Sequence, residues 1–261
     1  MMLSFVIPTR NQAPFIRRCI DSCLSQDLQN AEVIVIDGAS TDGTQEILAE
    51  YSDRIQWVSE PDSGQSDAVN KGVLKARGEI MAWINSDDYY PENSLLEHVV
   101  ALFEEDPKLD IVYGDGMMID IEGRPLRRCR SFEVQTAKQI LMCPGRFVLQ
   151  PALFLRRQLF LNTGGLATNL HWAMDFDLWL RMFPLARRVL YVRTVLACAT
   201  YHAQAKSVDG MLHQLREIRS VIRNNRDRFA LSFGEQIRLR WAEIKLYLYW
   251  FVVKTRLKRA V

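Results

Sequence analysis

The 261 residues are 48% hydrophobic and 25% charged, ordinary for a soluble globular protein and enough for one large α/β domain or one domain with an appendage. Five cysteines (Cys19, Cys23, Cys129, Cys143 and Cys198), an odd number with no CxxC, argue against a disulfide framework or a zinc site, and the longest apolar run, Leu246–Val253, is far short of the roughly 20 residues that span a bilayer. Net charge is +2, but residues 210–261 carry 12 Lys+Arg against 4 Asp+Glu and residues 1–209 carry 21 against 27, so a body of −6 joins a tail of +8 and the tail is directed at an anionic surface.

In chain order, Leu3–Pro8 reads as a short buried strand ended by the loop Pro-Thr-Arg-Asn. No basic n-region or apolar h-region precedes it, so no secretory signal is expected and a reducing cytoplasm is the expected compartment. Ala13–Gln26 has helical spacing through Ile16, Cys19, Ile20, Cys23 and Leu24, with both cysteines on the core side. Glu32–Asp37 is a second buried strand, and runs so rich in β-branched residues belong to parallel sheets. A helix is expected from about Thr44 to Tyr51, a strand at Ile55–Val58, a helix at Ser66–Ala76 and a strand at Glu79–Ile84. Strands and helices alternating with short loops indicate right-handed βαβ units on a mostly parallel sheet.

The second half is less regular. It reads as a helix at Asn93–Phe103, a strand at Asp110–Asp115 continuing through Met117–Ile121 to a hairpin turn at Glu122-Gly123, and a strand at Phe147–Leu155 broken by Gln150-Pro151. An amphipathic helix at Asp175–Phe183 and a strand at Arg188–Val195 follow. Ser207–Arg228 is a helix with Met211, Leu212, Leu215, Ile218, Val221 and Ile222 on one face, and Gly234–Leu257 is a more aromatic one. The charge change and the loss of mixed α/β character place a seam near residues 203–210, dividing a body at 1–205 (halves 1–120 and 121–205) from a helical extension at 206–261.

Three strand ends, at Pro8-Thr9, Asp37 and Asp87, fall on one edge of this sheet. Ligands of open α/β sheets bind beyond the carboxyl ends of the strands. The buried strand Ile80–Ile84 delivers Asn85-Ser86-Asp87-Asp88 there, placed either to hold a hard cation and, through it, a phosphate, or to cap the helix that follows. Asp37 suits ribose hydroxyls or a base N–H, or an Asx-turn ahead of Gly38. Neither GxGxxG nor GxxxxGK[ST] is present, which counts against a nicotinamide enzyme and an ATPase.

Four segments in order, Ser4–Asn11, Val33–Thr44, Asp62–Gly72 and Gly78–Asp88, resemble the signature segments of family 2 glycosyltransferases over about residues 3–205. The resemblance implies a GT-A fold and an inverting transfer from a nucleotide-diphosphate sugar, a UDP-sugar being favoured, to a glycan or lipid-linked hydroxyl acceptor in cell-surface polysaccharide or lipopolysaccharide synthesis. It implies Mg²⁺ or Mn²⁺ at the acidic turn, where Asn85 replaces the first acid, leaving Asp87 as metal ligand and Asn85 and Asp88 as donor-sugar contacts. Pro8, Thr9, Asp37, Ser40 and Asp67 match nucleotide-binding positions. Asp175 aligns with the catalytic base, Met174 standing where the family has Glu; taken alone, Asp175 would read as an N-cap. His202 falls where relatives carry a histidine against the metal or diphosphate, though a lone His is more often structural. Asp115 and Trp172 match the donor or acceptor side, while Trp179 reads as core. The departures at Asn85 and Met174 leave a second reading, a non-catalytic nucleotide-sugar-binding relative acting as a partner subunit.

The tail Arg238–Arg259 mixes aromatics, aliphatics and basic ends. It suits either peripheral contact with the inner face of the cytoplasmic membrane or packing on protein, including a homodimer. No nucleic-acid motif accompanies it, so no nucleic-acid partner is expected.

Overall fold

Runs with apolar residues on both faces form strands that helices must cover from both sides. Such runs build β1 (Leu3–Thr9), β2 (Ala31–Asp37) and β4 (Ile80–Trp83), with the half-buried edge strand β3 (Gln56–Ser59) beside β2. The four pair in parallel in the order β3-β2-β1-β4. Their connections are α1 (Ile16–Leu24), α2 (Thr44–Glu50) and α3 (Gln65–Lys75). In α1 the residues Ile16, Cys19, Ile20 and Cys23 form the buried face, as their spacing predicts. None of the five cysteines is in a disulfide. This computed structural model describes residues 1–26, 30–91, 95–144, 148–202 and 210–257.

After α4 (Leu95–Glu105) the chain makes β5 (Leu109–Ile119), which turns through Gly123 into β6 (Pro125–Cys129), the hairpin expected at Glu122-Gly123. Then follow α5 (Ala137–Leu141), β7 (Leu153–Arg156), α6 (Arg157–Asn162), α7 (Met174–Met182) and β8 (Arg188–Thr200). β7 runs antiparallel to both its neighbours, β4 and β5, extending the sheet to β3-β2-β1-β4-β7-β5-β6, while β8 pairs in parallel with β5.

Two strand expectations are corrected. The strand predicted over Phe147–Leu155 is confined to Leu153–Arg156, because Gln150–Ala152 form a 3₁₀ turn opened by Pro151, whose nitrogen has no proton to give a ladder; Phe147 itself lies outside the described residues. The strand predicted to stop at Val195 runs on to Thr200, held by pairing with β5 as far as Ile119.

Two helices close the chain, α8 (Met211–Asn225) and α9 (Phe233–Leu257). The seam expected near 203–210 lies almost wholly outside the described residues. Leu215, Ile218, Val221 and Ile222 of α8 and Leu239 of α9 share one hydrophobic cluster with Phe176, Trp179 and Leu180 of α7, so the extension is packed into the body's core. Trp179 is buried, as its place on the inner side of α7 required.

Candidate active site

Register puts the strand ends side by side: Thr9 pairs with Asp37, and Asp37 with Ser59. Asp37 is fully buried. Its Oδ2 accepts the Ser40 amide at 3.0 Å and the Ser59 hydroxyl at 2.6 Å, and its Oδ1 accepts the Ser40 hydroxyl. Ser40 Oγ in turn accepts the Asn11 amide at 2.7 Å. One carboxylate thus knots the loops after β1, β2 and β3. These loops carry left-handed non-glycine residues, Asn11 at φ 52° and Ala39 at φ 56°. For Ala39 that conformation is strained, a condition that survives where surrounding bonds over-determine the backbone. Pro8 and Thr9 complete this edge. Thr9 Oγ1 is buried and meets no hydrogen-bond partner among the described residues.

The turn after β4 separates its two carboxylates. Asp88 points inward, buried, its Oδ1 taking the Thr200 amide at 3.1 Å and its Oδ2 the Asn85 side-chain amide at 3.2 Å. Burial pushes its carboxyl well above the usual range, and the neighbouring charge of Asp87 adds to that, against the opposing pull of the Thr200 amide, Asn85 and Arg18. Asp87 points the other way, its Oδ2 lying 3.0 Å from His202 Nε2. The sequence supplied no local reason for this meeting. It follows from the end of β8: Tyr89 and Cys198 form a two-bond bridge, and Arg18 Nη2 donates to Thr200 Oγ1 at 2.7 Å, so the last residues of β8 are stitched to the acidic turn. His202 is buried with its ring against Phe15, centroids 4.6 Å apart.

Asn85 ties the turn to α3. Its Oδ1 accepts Gln65 Nε2 at 2.6 Å and Trp83 Nε1 at 3.1 Å. Gln65 opens α3, and α3 also holds the segment leading into α7: Asn70 exchanges two bonds with Leu166, at 2.8 and 2.9 Å, and Ser66 Oγ donates to the Leu170 carbonyl at 3.2 Å. Asp67, the remaining position expected at the nucleotide, sits in the first turn of α3, accepts the Ser63 amide at 3.1 Å and pairs with Lys71 at 3.3 Å. The Ser63 amide and Lys71 hold its carboxyl below the ordinary value, outweighing its slight burial.

Asp175 is the second residue of α7, and the helix begins after Ala173. Asp175 is therefore not the N-cap, though its Oδ1 accepts the first-turn amide of Phe176 at 2.7 Å, and the residues ahead of the helix are held from elsewhere. Glu217 of α8 accepts the His171, Trp172 and Ala173 amides at 2.7–3.0 Å, satisfying donors at the start of α7 and countering its dipole. The ring of Trp172 stacks on His213 of α8, centroids 4.9 Å apart and 18° from parallel, and a Cβ at Gly210 would lie 1.7 Å from its Nε1. One face of Trp172 is therefore occupied by protein. Asp177 pairs with Arg181 at 2.7 Å, as the i,i+4 spacing predicts. Asp115 does not join the edge group: it is buried with Arg128 at 2.8 Å, the Ser131 amide at 2.9 Å and the Tyr191 hydroxyl at 2.6 Å.

Sequence reasoning missed Glu217 and Arg18, both ordinary polar-face residues of amphipathic helices whose partners lie far off in the chain. Gln65 stood inside a motif without an assigned role.

Comparison with known proteins places this arrangement. The family model described as Glycosyl transferase family 2 matches residues 4–167. The chain is 31% identical over 198 residues to a PGL/p-HBAD biosynthesis glycosyltransferase of Mycobacterium tuberculosis, covering 73% of this chain and 74% of that one. It is 29% identical over 226 residues to an uncharacterized glycosyltransferase of Rickettsia prowazekii, covering 83% and 69%. It spans only 35% of the length of similar proteins of Rickettsia felis and Rickettsia conorii. Among solved structures, Staphylococcus aureus TarS 1–349 in complex with UDP-GlcNAc superposes with a TM-score of 0.68 at 21% identity, covering 92% of this chain and 70% of that one. The mannosyltransferase PcManGT of Pyrobaculum calidifontis, in complex with GDP-Man and Mn²⁺, does so with a TM-score of 0.65 at 19% identity, covering 94% and 70%. The chain belongs to glycosyl transferase family 2 and has the GT-A fold.

Proposed function

We propose that the chain is a metal-dependent inverting glycosyltransferase that moves a sugar from a nucleotide-diphosphate donor, a UDP-sugar by preference, to a hydroxyl of a glycan or lipid-linked acceptor in cell-surface glycan synthesis. The observation that carries this reading is the meeting of Asp87 and His202, 115 positions apart in sequence, at 3.0 Å beyond the carboxyl ends of the parallel strands. Among the described residues no group of three or more His, Cys, Asp or Glu side chains is arranged to hold a metal. A carboxylate and an imidazole alone leave most of an octahedral shell for diphosphate oxygens and water, the way Mg²⁺ is shared with substrate phosphates. The residues present therefore fit Mg²⁺ or Mn²⁺ held jointly with the donor. When bound, the cation offsets charge on the departing diphosphate.

The chain's own groups do the rest. The edge at Pro8, Thr9, Asp37 and Ser40 receives the nucleoside, and the buried Thr9 hydroxyl gains there the partner that burial demands. Asp67, in the first turn of α3, is the further nucleotide-binding position. Asn85 and the turn it braces face the diphosphate and sugar, while Asp88, its oxygens taken by backbone and Asn85, shapes the turn. Asp175 accepts the acceptor hydroxyl's proton as that oxygen bonds to the anomeric carbon from the face opposite the diphosphate. The diphosphate leaves with the electrons of the broken C–O bond, and the anomeric configuration inverts. Trp172 and Asp115 support the acceptor side from within the fold.

The test is a panel of UDP-, GDP- and dTDP-sugars with Mn²⁺, read as donor hydrolysis or transfer and as metal-dependent thermal stabilisation. One donor family giving both signals supports the proposal. Stabilisation by a donor with no turnover on any acceptor supports instead the non-catalytic partner reading.

A further inference from the structure

Helix α9 is apolar on two sides. On one, Leu239 is buried in the cluster shared with α8, and both acidic residues of the described helix turn to protein, Glu235 pairing with Lys138 at 3.1 Å and Glu243 with Arg219 at 3.6 Å. On the other, Phe233, Ile237, Trp241, Ile244, Tyr247 and Leu248 stand in solvent, Phe233 at 79% and Trp241 at 58% exposure. At about 100° per residue these six fall within roughly 120° of arc, turned away from Leu239. Exposed Arg240 lies inside that stripe, and exposed Arg238 and Lys245 line one border.

A contiguous apolar stripe of this length on a water-exposed helix marks an interaction surface. Charge selects its occupant. Arg240 within the stripe and Arg238 and Lys245 beside it are matched on the other border only by Glu243, which Arg219 neutralises at 3.6 Å, and residues 210–261 carry 12 Lys+Arg against 4 Asp+Glu. Packing two copies face to face would bring these like charges together, whereas an anionic lipid surface complements them. Aromatic rings at headgroup depth, with arginine and lysine reaching to lipid phosphates, are the arrangement of a helix lying in the interface plane. No helix among the described residues is long and apolar enough to cross a membrane, which is consistent with lying on one.

We propose that the exposed stripe of α9, Phe233 to Leu248, docks the protein on an anionic bilayer. This goes beyond the transfer reaction and does not depend on it. The test is co-sedimentation of the full chain with vesicles of phosphatidylcholine alone or mixed with phosphatidylglycerol, at low and high salt. Binding is expected on the mixed vesicles at low salt, at least tenfold weaker on the neutral ones, and weakened by salt. The triple variant Ile237→Ser, Trp241→Ser, Leu248→Ser changes only exposed positions, so its thermal midpoint should stay at wild type while vesicle binding falls at least tenfold. Reversing Arg238, Arg240 and Lys245 to Glu should reduce binding to anionic vesicles on the order of a hundredfold. The proposal is overturned by absence of binding to the mixed vesicles at low salt or by unchanged binding of the serine variant. It is overturned equally by a lipid-free dimer in analytical ultracentrifugation that the serine variant abolishes, which would assign the stripe to a second copy.

Discussion

Glu217 is the residue through which the C-terminal helices hold the proposed base in place. Its carboxylate bridges α8 to the three amides that lead into α7, at 2.7–3.0 Å, the last of them two residues before Asp175. Changing it to alanine leaves those donors without protein partners. Loss of a helix cap costs about 0.5–2 kcal/mol, and amides stranded in a buried setting cost about 1–3 kcal/mol. Ala173 is buried and His171 is exposed, so water rescues part of the set and the sum settles at roughly 2–3 kcal/mol. For a chain of this size that lowers the thermal midpoint by roughly 4–12 °C. Glu217→Gln keeps a carbonyl for the Trp172 and Ala173 amides and loses the charge that opposes the helix dipole, so its loss is about 1 kcal/mol. Displacement of α7 by a fraction of an ångström misplaces the base, so kcat should fall at least tenfold in the alanine variant, with donor KM changed about twofold or less, because the nucleotide edge lies on other elements. Steady-state kinetics below the melting range, beside a thermal melt, measure both. An alanine variant that melts within 1 °C of wild type and turns over at the wild-type rate would refute the reasoning.

Asp87→Ala and His202→Ala should each weaken Mn²⁺-dependent UDP binding at least tenfold in calorimetry. The double variant should be little worse than either single one, since the two are proposed to serve one ion; additive losses would place the metal elsewhere. Asp115 gives a pH prediction. Burial alone would raise its carboxyl, but the Tyr191 hydroxyl, the Ser131 amide and Arg128 together hold it below the ordinary 3.8. A carboxylate depressed on folding contributes stability above its unfolded value and loses it as pH falls through its folded value. Asp115→Asn should therefore be less stable at pH 7 and lose less stability than wild type on acidification below about pH 4 in urea titrations; parallel acid limbs would contradict this.

Much of the N-terminal half was legible because its signals are local. Val33–Asp37 and Ile80–Ile84 are apolar runs that end in polar turns, and the helix at Ile16–Leu24 keeps its spacing. The insertion of β7 between β4 and β5 was not, since antiparallel partners carry no mark of which strand they will join. The six-residue helix α6 and five-residue helix α5 are too short to show a period. β8 outran its prediction because Leu196–Thr200 is held by register with β5 rather than by any pattern of its own. The site divides the same way. Asp37 and Asp87 stood at strand ends and Asp175 at a helix start, and could be named. The stitching of Thr200 to Asp88 and the capping of α7 by Glu217 are tertiary, made between positions 112 and 44 apart, and left no trace in spacing.

Asp175 is proposed to take the acceptor's proton. The most direct measurement sets transfer beside donor binding for Asp175→Asn, once a donor is identified. Asp175 Oδ1 accepts the Phe176 amide at 2.7 Å, and asparagine keeps an oxygen for that bond, so the variant should fold with a melt close to wild type. Donor and metal affinity should stay within about twofold of wild type and transfer should fall by at least about a thousandfold, in the range seen when general acid–base groups are removed. Transfer at the wild-type rate by a folded, donor-binding Asp175→Asn would contradict it.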